Sequence, residues 1–410
     1  MTRAAGNPVK SSFAPATAAR VSGRGSSRLV AVLAVTQTVG YGVLYYAFAV
    51  VITPIAADLR TDTAHVSAAL TISVLLEAGA AIPVGRWLDR RGGRALMTAG
   101  SALGVVAVVA WSQVRTVGQL YAVFVLIGLA SAMSLYEAAF SVVIASTDPA
   151  RRSSALLTVT IVAGFASSIF FPLTGWLTTA VGWRTAVLIL AGLLAAIAIP
   201  GHVVAVPTAH AHRQDSNTRT GARLSEALRD KGFWLLTLAF VLHAAAISAV
   251  GVLLVTFLQH AGHTTTVAAT LAGLLGILSV AGRVVTTTVA RRHGMPLVTA
   301  AVFALQAVGA AALPYAGHSI AGVAACVTAF GLGFGVGWIA RPAIVAARYG
   351  TARYASIAGA MALPTTLARA LAPLGAALLP PGRFLTAAAF ACFTAAALLI
   401  AVRGRPTSDN

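Results

Sequence analysis

Six ionisable side chains stand well inside otherwise apolar stretches of this sequence, five residues or more from an end: Glu77, Glu137, His243, Arg283, Arg341 and Arg369. A charge in hydrocarbon is costly, so each is a candidate functional group that needs a partner. A guanidinium stays charged and presents a planar fork that grips carboxylates, whereas a carboxylate or imidazole can exchange a proton or hold a cation. No Asp or Glu occurs between Asp230 and Asp409, so the three arginines have no acid on their own side of the chain. We therefore read Arg283, Arg369 and Arg341 as an anion-accepting wall and Glu137, Glu77 and His243 as proton-coupling groups. Glu137 and Arg341 are expected to pair across a cavity and to separate on substrate binding or protonation. Gln37, Tyr41 and Tyr45 add polar atoms and ring faces, with Tyr41 and Tyr45 on one helix face at i, i+4. Each has a plainer reading: Arg341 can snorkel to an interface, His243 and the acids can be hydrogen-bonded packing groups, and the tyrosines can simply pack.

The elements that position these residues follow from solvent preference. Hydrophobic residues make up 58% of the chain, charged residues 10%, and mean hydropathy is +0.85. A bilayer core needs roughly 20 apolar residues per helical crossing. Twelve such stretches are predicted, at 29–57, 66–88, 93–112, 117–145, 154–180, 184–204, 232–258, 265–289, 296–316, 319–346, 354–379 and 384–402. The fold class is thus an all-α membrane protein of twelve transmembrane helices in two pseudo-symmetric six-helix bundles. The expected organisation is a disordered cytoplasmic tail over 1–28, an N-terminal bundle over 29–204, a cytoplasmic linker over 205–230, a C-terminal bundle over 231–402 and a cytoplasmic tail over 403–410. The linker ends in LSEALRDKGFW, which reads as a short amphipathic helix on the membrane surface. At 1.5 Å per residue Glu137 lies about 13 Å from the end of its helix, His243 about 18 Å in, and Arg341 within about 10 Å of an end.

The formal charge of +19 invites a nucleic-acid reading, but its distribution does not support one. Of the 29 Lys and Arg residues, 24 fall at alternate loops and tails on one side of the twelve stretches and four on the other. That is the positive-inside pattern of a multi-pass cytoplasmic-membrane protein with both termini in the cytoplasm. The only lysines are Lys10 and Lys231, neither in a phosphate-binding loop, so ATP hydrolysis is set aside. Cys326 and Cys392 fall inside apolar stretches and read as small buried residues. His260 and His263 in QHAGH lack the acids or thiolates of a metal site. No cofactor or enzyme chemistry is expected. The expected partners are a small-molecule substrate and membrane lipid, the expected state a monomer.

A repeat crosses the linker. Arg152 precedes Pro172 by twenty residues, as Arg353 precedes Pro373, and DRRG at Asp89–Gly92 is matched by RRHG at Arg291–Gly294. The first of these loops lies in PVGRWLDRRGGR, which fits G-x-x-x-D-R-x-G-x-R through Gly85, Asp89, Arg90, Gly92 and Arg94. Here the chain resembles the major facilitator superfamily over nearly its whole length. The resemblance implies a gate lock in this loop; physically, Gly85 lets helices touch and Asp89 can cap a helix N-terminus. In the second copy Thr287 and Arg291 replace Gly85 and Asp89. GILSVAGRVVTTTVARRHG around Arg283 resembles the monocarboxylate and oxalate/formate porters, implying that Arg283 contacts a substrate carboxylate; Ser279 stands where those proteins often have aspartate. The function expected is secondary transport of a small organic anion, driven by a gradient or by exchange. The alternative is efflux of a cationic or hydrophobic toxicant by proton antiport, with the two glutamates as cation acceptors.

Overall fold

The computed structural model describes residues 23–208, 221–380 and 382–403, and within them it is helical apart from one isolated bridge between Gly221 and Gly350. The elements are α1 Gly23–Tyr41, a π-helical turn Gly42–Tyr46, α2 Ala47–Asp58, α3 Thr63–Arg91, α4 Arg94–Trp111, α5 Val117–Ser134, α6 Tyr136–Ser146, α7 Pro149–Gly164, α8 Ala166–Ala205, α9 Leu224–Arg229, α10 Lys231–His260, α11 Thr265–His293, α12 Met295–Ala316, α13 Ile320–Gly331, α14 Gly337–Tyr349, α15 Tyr354–Ala377 and α16 Arg383–Arg403. Ten segments are long and apolar enough to cross a membrane. One of these, Pro149–Ala205, is two crossings that meet at Gly182, whose φ of +78° turns the chain. α13 with α14 forms a further crossing, so the described residues make twelve.

Differences from the sequence reading lie mainly at ends and breaks. Helix α1 begins at Gly23, inside the stretch 1–28 expected to lack order, and residues 1–22 lie outside the described residues. Residues 209–220 of the linker and 404–410 of the second tail also lie outside them. The fourth crossing, expected to be continuous, breaks at Leu135, where the backbone is extended, and the tenth breaks between Gly331 and Gly337. Broken helices free backbone groups that need partners away from water. At the fourth crossing Gln37 supplies one: its Nε2 donates to the Ser134 carbonyl at 2.8 Å.

Three apolar cores hold the molecule. One is drawn only from residues 39–198 and includes Phe48, Trp111 and Phe124. Another is drawn only from residues 246–392 and includes Leu254, Phe257 and Leu385. The third joins both parts of the chain, with Leu88, Met97, Phe140, Phe233, Ile357 and Met361. This shared core lies at the end of the bundle that carries Asp89, called the motif end below. At the far end the two cores are separate.

The motif is what closes that end. A Cβ on Gly85 would run into the carbonyl of Ala355, and one on Gly359 into that of Ala81, so α3 and α15 touch backbone to backbone. Asp89 accepts from the first N–H groups of α15, Ala355 at 3.0 Å and Ser356 at 2.8 Å, and from the Ser356 hydroxyl. A carboxylate there satisfies donors that have no intrahelical partner and meets the positive end of the helix dipole. Gly92 caps α3 at φ +77°, Arg94 donates to the Val206 carbonyl at 2.6 Å, and Arg90 is exposed.

A second carboxylate anchors the linker. Asp230 caps α10 through Gly232 N–H at 2.8 Å, accepts from the Tyr349 hydroxyl at 2.7 Å and pairs with Arg348 at 3.2 Å. Partial burial alone would raise its pKa, but the Tyr349 and Gly232 hydrogen bonds and the Arg348 charge outweigh it and hold the carboxyl below its ordinary range.

Three outcomes follow. Gln37→Leu strands the Ser134 carbonyl and is expected to destabilise the protein by about 1–3 kcal/mol, read as a lower thermal midpoint in detergent. Gly85→Val is expected to lengthen the distance between spin labels at Ser146 and Thr351, which line the groove between the two parts at the motif end; an unchanged distance would show that the close approach is dispensable. Because folding lowers the pKa of Asp230, its stabilisation is present above the ordinary carboxylate pKa of about 4 and lost as pH falls through the folded value. Asp230→Asn should therefore melt lower than wild type at pH 7, with the gap closing in strong acid.

Candidate functional site

The polar residues inside the bundle form levels above the motif-end lock. Counting along each helix at 1.5 Å per residue, Arg341 lies about 12 Å and Glu137 about 14 Å from the motif end, Arg283 about 15 Å, His243 about 18 Å, and Glu77 and Arg369 about 21–22 Å. The breaks lie at the same depths. Helix α6 starts at Tyr136, so the break at Leu135 places Tyr136 and Glu137 in its first turn.

At the lower level Glu137 on α6 and Arg341 on α14 form an ion pair through Oε1 and Nη2. Arg341 is buried, 8% exposed at the side chain, so the pair is far more shielded than a surface bridge. Tyr136 packs beside it on Trp338, with ring centroids 5.3 Å apart, and on Tyr41 at 4.5 Å. These contacts join residues of the first and last parts of the chain and make a floor. Arg341 does not snorkel to an interface; it is engaged by a carboxylate 204 residues away.

Above the floor the charges are less occupied. Arg369 on α15 lays its guanidinium over the Trp338 ring, 4.3 Å from the centroid, and makes no ion pair among the described residues. It lines a small cavity with Phe240, His243, Phe334, Trp338 and Arg341. Glu77 on α3 likewise has no hydrogen bond or ion pair among the described residues, yet it lies within electrostatic range of Glu137 and Arg369. Tyr41 and Tyr45 lie within electrostatic range of it, Tyr45 also of Arg369; Tyr41 is half-buried and Tyr45 is exposed.

Arg283 is positioned differently. It donates through Nη1 to the Thr160 carbonyl on α7 at 2.8 Å and through Nη2 to the Ser279 hydroxyl at 2.9 Å, while its buried Nε has no partner. Ser279, one turn earlier on α11, thus steers the guanidinium without neutralising it. His243 bonds to Gln306 at 3.0 Å and stacks on Phe303 at 3.8 Å, and Gln306 in turn donates to the Phe330 carbonyl at 3.0 Å. Gln37 serves the break in the fourth crossing and sits with the floor, not with the cavity.

One feature of the site escaped the sequence reading. The segment GLGFGVG, Gly331–Gly337, is the break in the tenth crossing, and side chains occupy the space its glycines leave. A Cβ on Gly333 would collide with Gln306, one on Gly335 with Arg283 and Ser279, and one on Gly337 would press on His243. Glycine at every second position is visible in the sequence and marks close backbone approach. Three helices, α10, α11 and α12, therefore grip this break and set the height of Trp338 and Arg341.

Similar structures share the architecture at low identity. A bacterial homologue of the iron transporter ferroportin, in an outward-facing state with soaked iron, matches with a TM-score of 0.72 at 17% identity, covering 93% of this chain and 99% of that one. The same kind of homologue in an outward-facing state without the soak matches with a TM-score of 0.70 at 18% identity, over 93% and 100% of the two chains. The human organic anion transporter MFSD10 matches with a TM-score of 0.64 at 17% identity, over 92% of this chain and 98% of that one. No curated protein sequence matches the chain. The family model described as Major Facilitator Superfamily matches residues 33–373. With that match, twelve helical crossings and the lock between Asp89 and α15, this chain belongs to the Major Facilitator Superfamily, a family of membrane transporters.

Proposed function

We propose that the protein is a secondary transporter of a small carboxylate or other organic anion in the cytoplasmic membrane. The observation that carries this reading is the charge inventory of the buried site. Three guanidiniums, Arg283, Arg341 and Arg369, face two carboxylates, and one of those carboxylates is already engaged by Arg341. A buried cation without an anion is expensive, and a substrate carboxylate supplies what is missing. The described neighbours include an iron transporter homologue and an organic anion transporter, so the shared fold leaves cargo to be argued from the site. Arg283, beside Ser279, also supports placing the chain near the monocarboxylate and oxalate/formate porters.

Excess Lys and Arg at the motif end supports a cytoplasmic position for it and for both termini. The shared core at that end and the separate cores at the far end support reading the structure as an outward-facing state. In the proposed cycle an anion enters from the far end and settles against Arg369 and Trp338, with Arg283 below. Protonation of Glu137, or arrival of the anion near Arg341, breaks the pair between them. The floor of Tyr136 and Trp338 then parts as the two six-helix units rock about the midplane site. ATP plays no part; the proton gradient or exchange supplies the drive. A second reading, efflux of a cation, draws support from the unpaired Glu77.

Purified protein in proteoliposomes with an imposed pH gradient tests the proposal against a panel of carboxylates. Arg369→Gln removes a charge-assisted contact worth about 1.5–3 kcal/mol, so affinity is expected to fall roughly ten- to hundredfold. Glu137→Gln is expected to leave exchange intact and abolish the response to the pH gradient. Unchanged carboxylate flux in Arg369→Gln rejects the anion assignment, and raised tolerance to cationic drugs on expression favours the second reading.

A further inference from the structure

Two opposite charges face the far end of the site, and neither is spent. Arg369 has only the face of Trp338, and Glu77 has no hydrogen bond or ion pair among the described residues. They are near enough to feel each other but do not meet within the 4.0 Å of an ion pair, in contrast to Glu137 and Arg341 one level below. Helix packing sets the separation. The approaches of Gly85 to Ala355 and Ala81 to Gly359 place Glu77 level with Leu363 on α15. Arg369 stands six residues further along, about 9 Å of helix rise. The two groups are therefore offset along facing helices and stand apart without a direct contact.

That arrangement discriminates among carboxylates. A simple carboxylate bound at Arg369 brings its negative charge toward Glu77 and leaves Glu77 without a partner. A simple amine at Glu77 does the same to Arg369. A solute that carries both an ammonium and a carboxylate satisfies both groups, and it adds no net charge to a low-dielectric site. Tyr41 and Tyr45 lie within electrostatic range of Glu77, and aromatic faces suit an ammonium; Trp338 under Arg369 suits the flat guanidinium and carboxylate pair.

We propose that the substrate is a zwitterionic amino carboxylate of the amino-acid class, its carboxylate on Arg369 beside Trp338 and its ammonium on Glu77 between Tyr41 and Tyr45. This rests on the reading of Arg369 as an anion contact and adds a second pole to it. Glu77 is then a specificity-determining residue, and the pair of Glu137 and Arg341 is left to the gate.

The test uses the full-length protein in detergent and measures binding by calorimetry. The probes are the twenty standard amino acids and, for each one that binds, two matched analogues, one lacking the amino group and one lacking the carboxylate. For phenylalanine these are 3-phenylpropionate and phenethylamine. At least one amino acid is expected to bind ten times or more tightly than either analogue. Glu77→Gln should weaken that amino acid tenfold or more and leave the desamino acid unchanged or tighter, whereas Arg369→Gln should weaken both. If desamino acids bind as well as amino acids, or if Glu77→Gln weakens the two equally, the zwitterion proposal fails while the anion reading stands. If amines bind and carboxylates do not, both fail; if no amino acid binds, the zwitterion proposal fails and the anion reading is decided by the carboxylate flux panel. Glu77→Asp, which keeps the charge, should restore part of the preference and separates a loss of charge from a loss of folding.

Discussion

The carboxylate of Asp89 at the start of α15 is the contact on which the arrangement of the molecule depends. Two backbone N–H groups and one hydroxyl converge on it from a helix that begins 265 residues later in the chain, counting from Asp89 to Tyr354. The contact forms only because Gly85 and Gly359 let α3 and α15 approach without side chains between them. From this joint α15 runs on to Arg369 and α3 runs back to Glu77, so the same contact sets the height of both charges. In lipid, apolar burial does little to hold one helix against another, so a charged cap and close backbone packing carry a larger share of the specificity than they would in a soluble protein.

The second constraint is irregular backbone. Helical crossings can break inside a bilayer only where protein supplies partners for the freed groups. Here the breaks at Leu135 and at Gly331–Gly337 surround the site, and each is served by side chains of neighbouring helices. Gln37 holds the first; Gln306, Ser279, Arg283 and His243 fill the second. Several residues that look like ligands by type are therefore part of the frame that positions Tyr136, Glu137, Trp338 and Arg341. Arg369 and Glu77 differ from them in having no such structural use.

Much of the plan was legible from residues alone, for identifiable reasons. Apolar run length sets the number of crossings, and the spacing from Gly85 to Arg94 names the lock. The offset between Glu137 and Arg341 pointed to a pair that the structure contains. The break at Leu135 was not legible, because apolar residues continue on both sides of it, whereas the one at Gly331–Gly337 carries a local mark in its alternating glycines. Arg283 was read from its motif as an anion contact, yet two of its donors go to Thr160 and Ser279. The Thr160 contact depends on how α7 meets α11, which no local pattern encodes. The uneven ends of Gly23 and Ala205 reflect the same limit, since terminal turns extend until packing stops them.

The three cores bear on kinetics. The motif end is held by a carboxylate on a helix, an ion pair and one continuous apolar core, whereas the far end has two separate cores and the second copy of the motif has Thr287 and Arg291 where Gly85 and Asp89 would stand. An empty carrier built this way rests in one of its two states, and turning over without cargo means breaking all three holds with nothing offered in return. In the proposed cycle a bound solute that bridges the far-end charges supplies the compensation. Under that proposal, reorientation of the loaded protein outruns that of the empty one, and flux is fastest when solute is present on both faces of the membrane.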